Sequence, residues 1–403
     1  MSKIFKTIKK NFKSFFKSYT YRAKFIYTKY YEKLNIDNNS ILIQSYEGSS
    51  ISGNPYYLLK ELCTNDKYKK YKKYVVANES KKDEIKNVIS KYENVEVVIF
   101  HTKKYCKLLA TAKYLINNST FPVYFIKKEG QVYINTWHGT PLKTLGKSIL
   151  AAPHEIGNTQ RNFMMADYLI YPNKFTFNMM KKDYMLDNIF NGKYILTGYP
   201  RNEIFYDVEN RNKIRKELGL ENKKVVVYMP TWKGTLETKN VDEQIEYTIK
   251  VIKEMENKLS SEYVVYVKLH NYVTKVLDIS TLDNIKLFPE GYETYEFLSI
   301  ADCLITDYSS VFFDFMNTGK KIILYSYDYE EYITQRGMYL DYKKLPFSLT
   351  YNINDLINEI TNINKYEDYK DIMKEYIEYD SISASYNLCN YIFNNEVSDN
   401  MEI

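Results

Sequence analysis

No run of eighteen apolar residues occurs anywhere in this chain, so no segment reads as a membrane-spanning helix. An uninterrupted apolar segment near the start is missing as well, which argues against an ordinary secretory signal. Cysteine is scarce: Cys63, Cys106, Cys303 and Cys389 lie far apart, with no C-x-x-C pair and no histidines clustered beside them. That scatter argues against a disulfide framework or a structural zinc and suits a reducing cytosol. The glycine-rich dinucleotide fingerprint, the Walker loop and the G-x-S-x-G elbow are absent too.

Histidine is equally rare, at four residues, and two of them end short apolar runs. The first run is Val132-Tyr133-Ile134-Asn135-Thr136-Trp137-His138-Gly139-Thr140-Pro141, and the second is Tyr263-Val264-Val265-Tyr266-Val267-Lys268-Leu269-His270-Asn271. Each predicts a β-strand delivering an imidazole at its carboxyl end, where open α/β sheets bind ligands. Imidazole is the side chain best matched to proton transfer near neutral pH, so the pair predicts an enzyme. His101 and His154 have no comparable setting and read as structural or surface residues.

Basic residues exceed acidic ones, 56 against 50, but unevenly. Residues 1–33 hold ten Lys and Arg and a single acid, Glu32, leaving 46 basic and 49 acidic residues elsewhere. Within that arm Ile4, Ile8, Phe12, Phe15 and Tyr19 recur at helical steps, with lysines on the other face. Such a helix suits the interface of an anionic membrane; the alternative is a solvated helix packed on the body. The near-neutral remainder counts against a nucleic-acid-binding protein, which needs a broad basic surface. The 43 tyrosines, in a chain so rich in Lys, Asn and Ile, read as compositional drift.

Beyond the polar linker Asp37-Asn38-Asn39-Ser40, short apolar segments alternate with helix-length ones. Strands are predicted at 41–44, 73–77, 95–100, 114–116, 132–136, 168–171 and 194–197. After Pro200 they resume at 224–229, 263–269, 303–306 and 321–325. Strands separated by helices make βαβ units and parallel sheets. The expected class is α/β, with two Rossmann-like doubly wound domains facing a cleft, over 37–205 and 206–393. A basic arm over 1–36 precedes them, and a poorly ordered tail over 394–403 follows.

The best-defined site element is Ala301 to Phe315, where a buried strand ends at Thr306 and Asp307 to Ser310 open a helix that Gly319 closes. Amides and hydroxyls at a helix start form a phosphate cradle; the plain alternative is an N-cap without a ligand. Other strand ends bring Arg201 in Gly198-Tyr199-Pro200-Arg201-Asn202, Thr231 and Lys233 in Pro230-Thr231-Trp232-Lys233-Gly234, and Arg336 beside Gly337. Together they predict a pyrophosphate site on one face of the second domain.

Taken in order, Thr136 to Gly146, Gly198 to Asn202, Lys268 to His270 and Ile305 to Ser310 resemble the CDP-glycerol glycerophosphotransferases, the polyol-phosphate primases and polymerases of teichoic acid synthesis. The resemblance spans roughly residues 42–345, and Ser45-Tyr46-Glu47-Gly48 with Asn54-Pro55 resembles the family's acceptor-side motif. Asn271 stands where a proline usually follows the histidine. The extra N-terminal domain of the long polymerases is missing, which favours a primase or single-addition enzyme.

The resemblance implies a GT-B architecture with the donor nucleotide in the C-terminal domain. The acceptor then lies on the N-terminal one, near Glu47, Gly139, Thr140 and Lys143. It also implies peripheral attachment to the cytoplasmic face of the membrane, where a lipid-linked saccharide or polyol-phosphate acceptor resides. An acceptor hydroxyl would attack the polyol-bearing phosphorus of CDP-glycerol or CDP-ribitol and release CMP. His138 is then the expected base and His270 the donor to a phosphate oxygen. Thr306, Asp307, Ser309, Ser310, Thr231, Arg201, Lys233 and Arg336 are expected to hold the diphosphate. Carboxylates do not cluster as they would around Mg²⁺, so neither a metal nor a cofactor is expected. The rival readings are a GT-B glycosyltransferase using a nucleotide sugar and a catalytically silent scaffold.

Overall fold

The valine- and isoleucine-rich segments pair in parallel, as their spacing predicts. The computed structural model describes residues 19–149, 154, 156–233, 241–398 and 401–402. Its first sheet comprises β1 (Asp37–Gln44), β2 (Lys72–Ala77), β3 (Val95–Ile99), β4 (Ala112–Asn117), β5 (Val132–Asn135), β6 (Tyr168–Tyr171) and β7 (Lys193–Leu196). They lie in the order β3-β2-β1-β4-β5-β6-β7, all parallel. The second comprises β8 (Lys224–Met229), β9 (Tyr263–Val267), β10 (Ile285–Leu287), β11 (Cys303–Thr306), β12 (Lys321–Tyr325) and β13 (Ser348–Thr350). Their order is β10-β9-β8-β11-β12-β13, again all parallel. These are the two Rossmann-like domains of a GT-B fold.

Central strands are covered on both faces, which is why β8 reads as an unbroken apolar run. Val225, Val226 and Val227 are all 0% exposed, and each such burial contributes about 1.5–3 kcal/mol. The short edge strands β10 and β13 have no such run, and the sequence pattern does not single them out: Lys286 and Leu287 of β10 are exposed. Strand order reverses between β1 and β4 in one sheet and between β8 and β11 in the other. Crevices at the carboxyl ends of such strand pairs are where doubly wound sheets take ligands.

Three of the expected boundaries move. The helix Ala384–Asn394 crosses back onto the first domain, where Tyr68 donates to the Asn390 side chain at 3.0 Å and Lys193 donates to the Tyr391 hydroxyl at 2.8 Å. Its apolar face has that domain as its partner, so 206–393 is not one structural unit. The tail is tied down as well, because Glu402 and Leu196 exchange two backbone hydrogen bonds at 2.9 Å. The helix Tyr19–Lys33 is no free arm: it buries Ala23 and Tyr27 against the helix Lys103–Thr111, and the Tyr27 hydroxyl donates to the Ile126 carbonyl at 2.7 Å. The stripe from Ile4 to Phe15 lies outside the described residues. Among those described, no helix is long and apolar enough to cross a membrane.

The domains are stitched across the cleft. Thr144 donates its amide to Gly337, and Tyr339 donates its amide to Leu142, both at 2.9 Å. Buried Glu293 accepts from the Gly53 amide at 3.0 Å and from the Tyr57 hydroxyl at 3.2 Å.

Candidate active site

His138 follows β5 through a strained turn. Trp137 has φ +48°, a left-handed conformation uncommon for a bulky residue and most often kept near functional sites. Asn135 holds it by accepting from the Trp137 amide at 2.9 Å, while Asn54 donates to the Thr136 carbonyl at 3.2 Å. The imidazole leans on the Trp137 ring, with centroids 4.1 Å apart, and its Nδ1 lies 2.7 Å from the Asn118 carbonyl oxygen. A carbonyl only accepts, so Nδ1 carries the proton and Nε2 is left as a lone-pair acceptor. Burial pushes the His138 pKa down to about 4, and the Arg201 charge adds to this against the pull of the Asn118 bond. The ring is neutral at pH 7.

The cleft beside it has a volume of about 310 Å³ and takes its walls from both domains. Trp137 to Lys143 line one side, and Thr231 with Tyr308 to Ser310 line the other. The loops touch closely enough that a Cβ on Gly139 would lie 2.7 Å from Ser310 Oγ. Ser310 starts the helix Val311–Phe315 without spending its hydroxyl on a cap bond. That helix is only five residues long before a 3₁₀ turn ends at Gly319, φ +66°. The two hydroxyls, more than a helix dipole, are therefore what this loop offers a phosphate. Thr231 Oγ1 is shielded from solvent and has no hydrogen-bond partner among the described residues.

Two cations face this region. Burial pushes the Lys143 ammonium down to about 8, against the pull of Asp307, and among the described residues no carboxylate pairs with it. Arg336 is exposed and close enough for its charge to act on Lys143.

Four of the residues expected to hold diphosphate are already engaged. Thr306 is buried and donates to the Met229 carbonyl at 2.7 Å. Asp307 accepts the Thr231 and Tyr308 amides, both at 2.7 Å, tying the loop after β8 to the loop after β11. Lys233 sits 2.6 Å from Asp328 and 3.7 Å from Asp307, its charge already met by two carboxylates. Arg201, 1% exposed, is forked onto Asp314. A buried charge needs its partner more than a surface one does, so these side chains build the walls rather than offer free ligands. On the acceptor side, buried Thr140 packs its hydroxyl 3.4 Å from both Asn173 and Thr176, and Glu47 is exposed outside the cleft lining.

His270 occupies an adjoining narrow pocket that shares Thr231 with the cleft. Its exposed ring stacks on Trp232 at 4.4 Å and 10°, and Tyr228, Gln244 and Tyr327 line the same pocket. Nδ1 accepts weakly from the Tyr272 amide at 3.4 Å, which leaves the proton on Nε2. Sequence reasoning missed Asn118 and Asp328, and it included Asn54 and Asp314 in motifs without giving either a role. The polar run Asn117-Asn118-Ser119 after an apolar segment signals a loop of interest; nothing local signals Asp328.

The family model for CDP-glycerol:poly(glycerophosphate) glycerophosphotransferase matches residues 26–394. The chain belongs to that family. A teichoic acid poly(glycerol phosphate) polymerase of Bacillus spizizenii is 31% identical over 84% of this chain and 87% of its own length. One from Staphylococcus epidermidis is 30% identical over 82% of this chain, which spans only 46% of that longer protein. Length therefore does not separate primases from polymerases in this glycerophosphotransferase family. Among solved structures, the wall teichoic acid polymerase TagF superposes with a TM-score of 0.80 at 25% identity, covering 98% of each chain. A variant of it soaked with CDPG scores 0.79.

Proposed function

We propose that this protein transfers glycerol phosphate from CDP-glycerol to a hydroxyl of a membrane-lipid-linked acceptor, releasing CMP. The observation that carries the reading is His138, neutral, with Nε2 unprotonated, across one cleft from the Ser309 and Ser310 hydroxyls. Nε2 takes the proton of the attacking hydroxyl as its oxygen bonds to the glycerol-bearing phosphorus. The bond from that phosphorus to the bridging oxygen breaks, and CMP leaves. His270 donates from Nε2 to the departing phosphate, while Ser309, Ser310 and Thr231 hold the diphosphate by hydrogen bonds. Similarity to glycerol phosphate polymerases supports the glycerol donor. The test is CMP release from CDP-glycerol and CDP-ribitol with a lipid-linked disaccharide acceptor. UDP release from UDP-sugars, with no CMP from either donor, would overturn the reading.

Lys143 and Arg336 supply the positive charge, and we propose that no metal is required; the Asp307 carboxylate is already taken by two amides and Lys233. EDTA should leave turnover intact, whereas loss restored by Mg²⁺ would refute this. The ammonium of Lys143 is lost as pH rises through about 8, so kcat/KM should fall there. Lys143→Met should be slower throughout and should lack that alkaline limb; a limb unchanged in the variant would clear Lys143 of the role.

Attachment to the cytoplasmic face of the membrane is part of the proposal. Phe25, Val123 and Ile126 are 54%, 66% and 57% exposed, on a helix and loop joined through Tyr27, and the helix also exposes Lys24 and Lys29. Apolar tips among lysines suit an anionic lipid surface.

A further inference from the structure

We propose that Arg201 is a positioning residue that sets the distance between the acceptor-side base and the donor phosphates. The inference rests on the transfer reaction proposed above and assigns a role that this reaction alone does not require. The guanidinium uses its donors in two directions. Nε and Nη2 donate to the two carboxylate oxygens of Asp314 at 2.9 and 2.8 Å, and Nη1 donates to the backbone carbonyl of His138 itself at 2.8 Å. Asp314 lies four residues beyond Ser310, on the same face of the short helix that Ser309 and Ser310 lead into. One rigid, planar group thus joins the backbone of the base to the element presenting the phosphate-facing hydroxyls.

Its surroundings allow it little freedom. The Tyr199 and Tyr295 rings lie 4.8 and 4.6 Å from the guanidinium carbon, and the side chain is 1% exposed. The Arg201 amide also donates to Asn54, whose own amide group holds the Thr136 carbonyl at the other end of the strained turn. A contact that merely glued the domains together would not need a directed bond to the His138 carbonyl; Glu293 with Gly53 and Tyr57 already does that work elsewhere. Lysine, with one compact donor group, cannot reproduce the fork. The geometry also explains why Arg201 is no free ligand for the donor.

Two variants test this. Arg201→Lys keeps the charge and loses the fork. Arg201→Met combined with Asp314→Leu replaces the pair by apolar side chains of similar size, a change that buried ion pairs often tolerate. Folding is followed by thermal melting, donor affinity by calorimetry with CDP-glycerol, and turnover by CMP release. In each folded variant kcat should drop by about 100-fold while donor Kd stays within about threefold, because ångström-scale misplacement of a reacting group costs rate rather than ground-state binding. In a His138→Ala background Arg201→Lys should cost little more, since both changes disable the same base.

Wild-type kcat in a folded variant would overturn the proposal, and so would kcat and donor affinity falling together. Full additivity with His138→Ala would also overturn it. If the double variant does not fold, Arg201→Lys decides by the same readouts. A wild type that releases no CMP sinks the transfer reading and this inference together; a competent wild type with indifferent variants sinks only this one.

Discussion

His138→Ala is expected to cut CMP release from CDP-glycerol by a factor of about 10²–10⁴, the range a positioned base supplies. The expectation rests on protonation state. With Nδ1 bound to the Asn118 carbonyl, only Nε2 can receive a proton, and burial keeps it vacant far below neutrality. Wild-type kcat/KM should therefore hold level on acidification from pH 7 and fall only as pH approaches about 4. An alanine variant has no such limb. Stability responds over a wider window. The unfolded chain binds a proton near the ordinary histidine pKa, whereas the folded ring does so only near 4. Stability thus declines as pH falls through that window. A variant with wild-type turnover, or one that keeps the acid limb, would remove His138 from the reaction.

Asp314→Ala should destabilise the fold by about 3–5 kcal/mol, among the largest effects a single substitution can have here. The carboxylate is buried and is the ionic partner of an equally buried Arg201. Burial alone would lower the guanidinium pKa, yet Asp314, together with Tyr295, Tyr46 and Tyr199, holds it above its ordinary range. Remove Asp314, and a full charge stays sealed between two tyrosines. An exposed pair such as Lys343 with Glu330 makes the contrast, since breaking it should cost about 0–1 kcal/mol. Chemical denaturation of both single variants reads the difference, and equal small losses would mean that water reaches Arg201.

Much of the architecture was legible because it follows from local pattern. β6, β8, β11 and β12 fall at the residues their apolar runs predict, since strands buried on both faces announce themselves. The returning helix Ala384–Asn394 was not legible, because an amphipathic pattern says which face is buried but not against what. The same limit governs the site. His138 and His270 stand at strand ends, and Ser309 and Ser310 line the cleft, all visible from strand-to-loop transitions. Arg201 and Lys233 looked like free cations, because sequence shows a charge but not the carboxylate that long-range folding brings to it. Asp314 is 113 residues from Arg201, and Asp328 is 95 from Lys233.

The returning helix also sets when the first domain can finish folding. The N-terminal sheet is complete once Leu196 has left the ribosome, yet the helix Asn54–Thr64 and Tyr68 wait for Ala384–Asn394 to cover them. At roughly 5–20 residues per second, that delay is on the order of ten to forty seconds. For that interval the nascent first half displays an apolar strip which only the other end of its own chain is shaped to cover, and chaperones have their opportunity there.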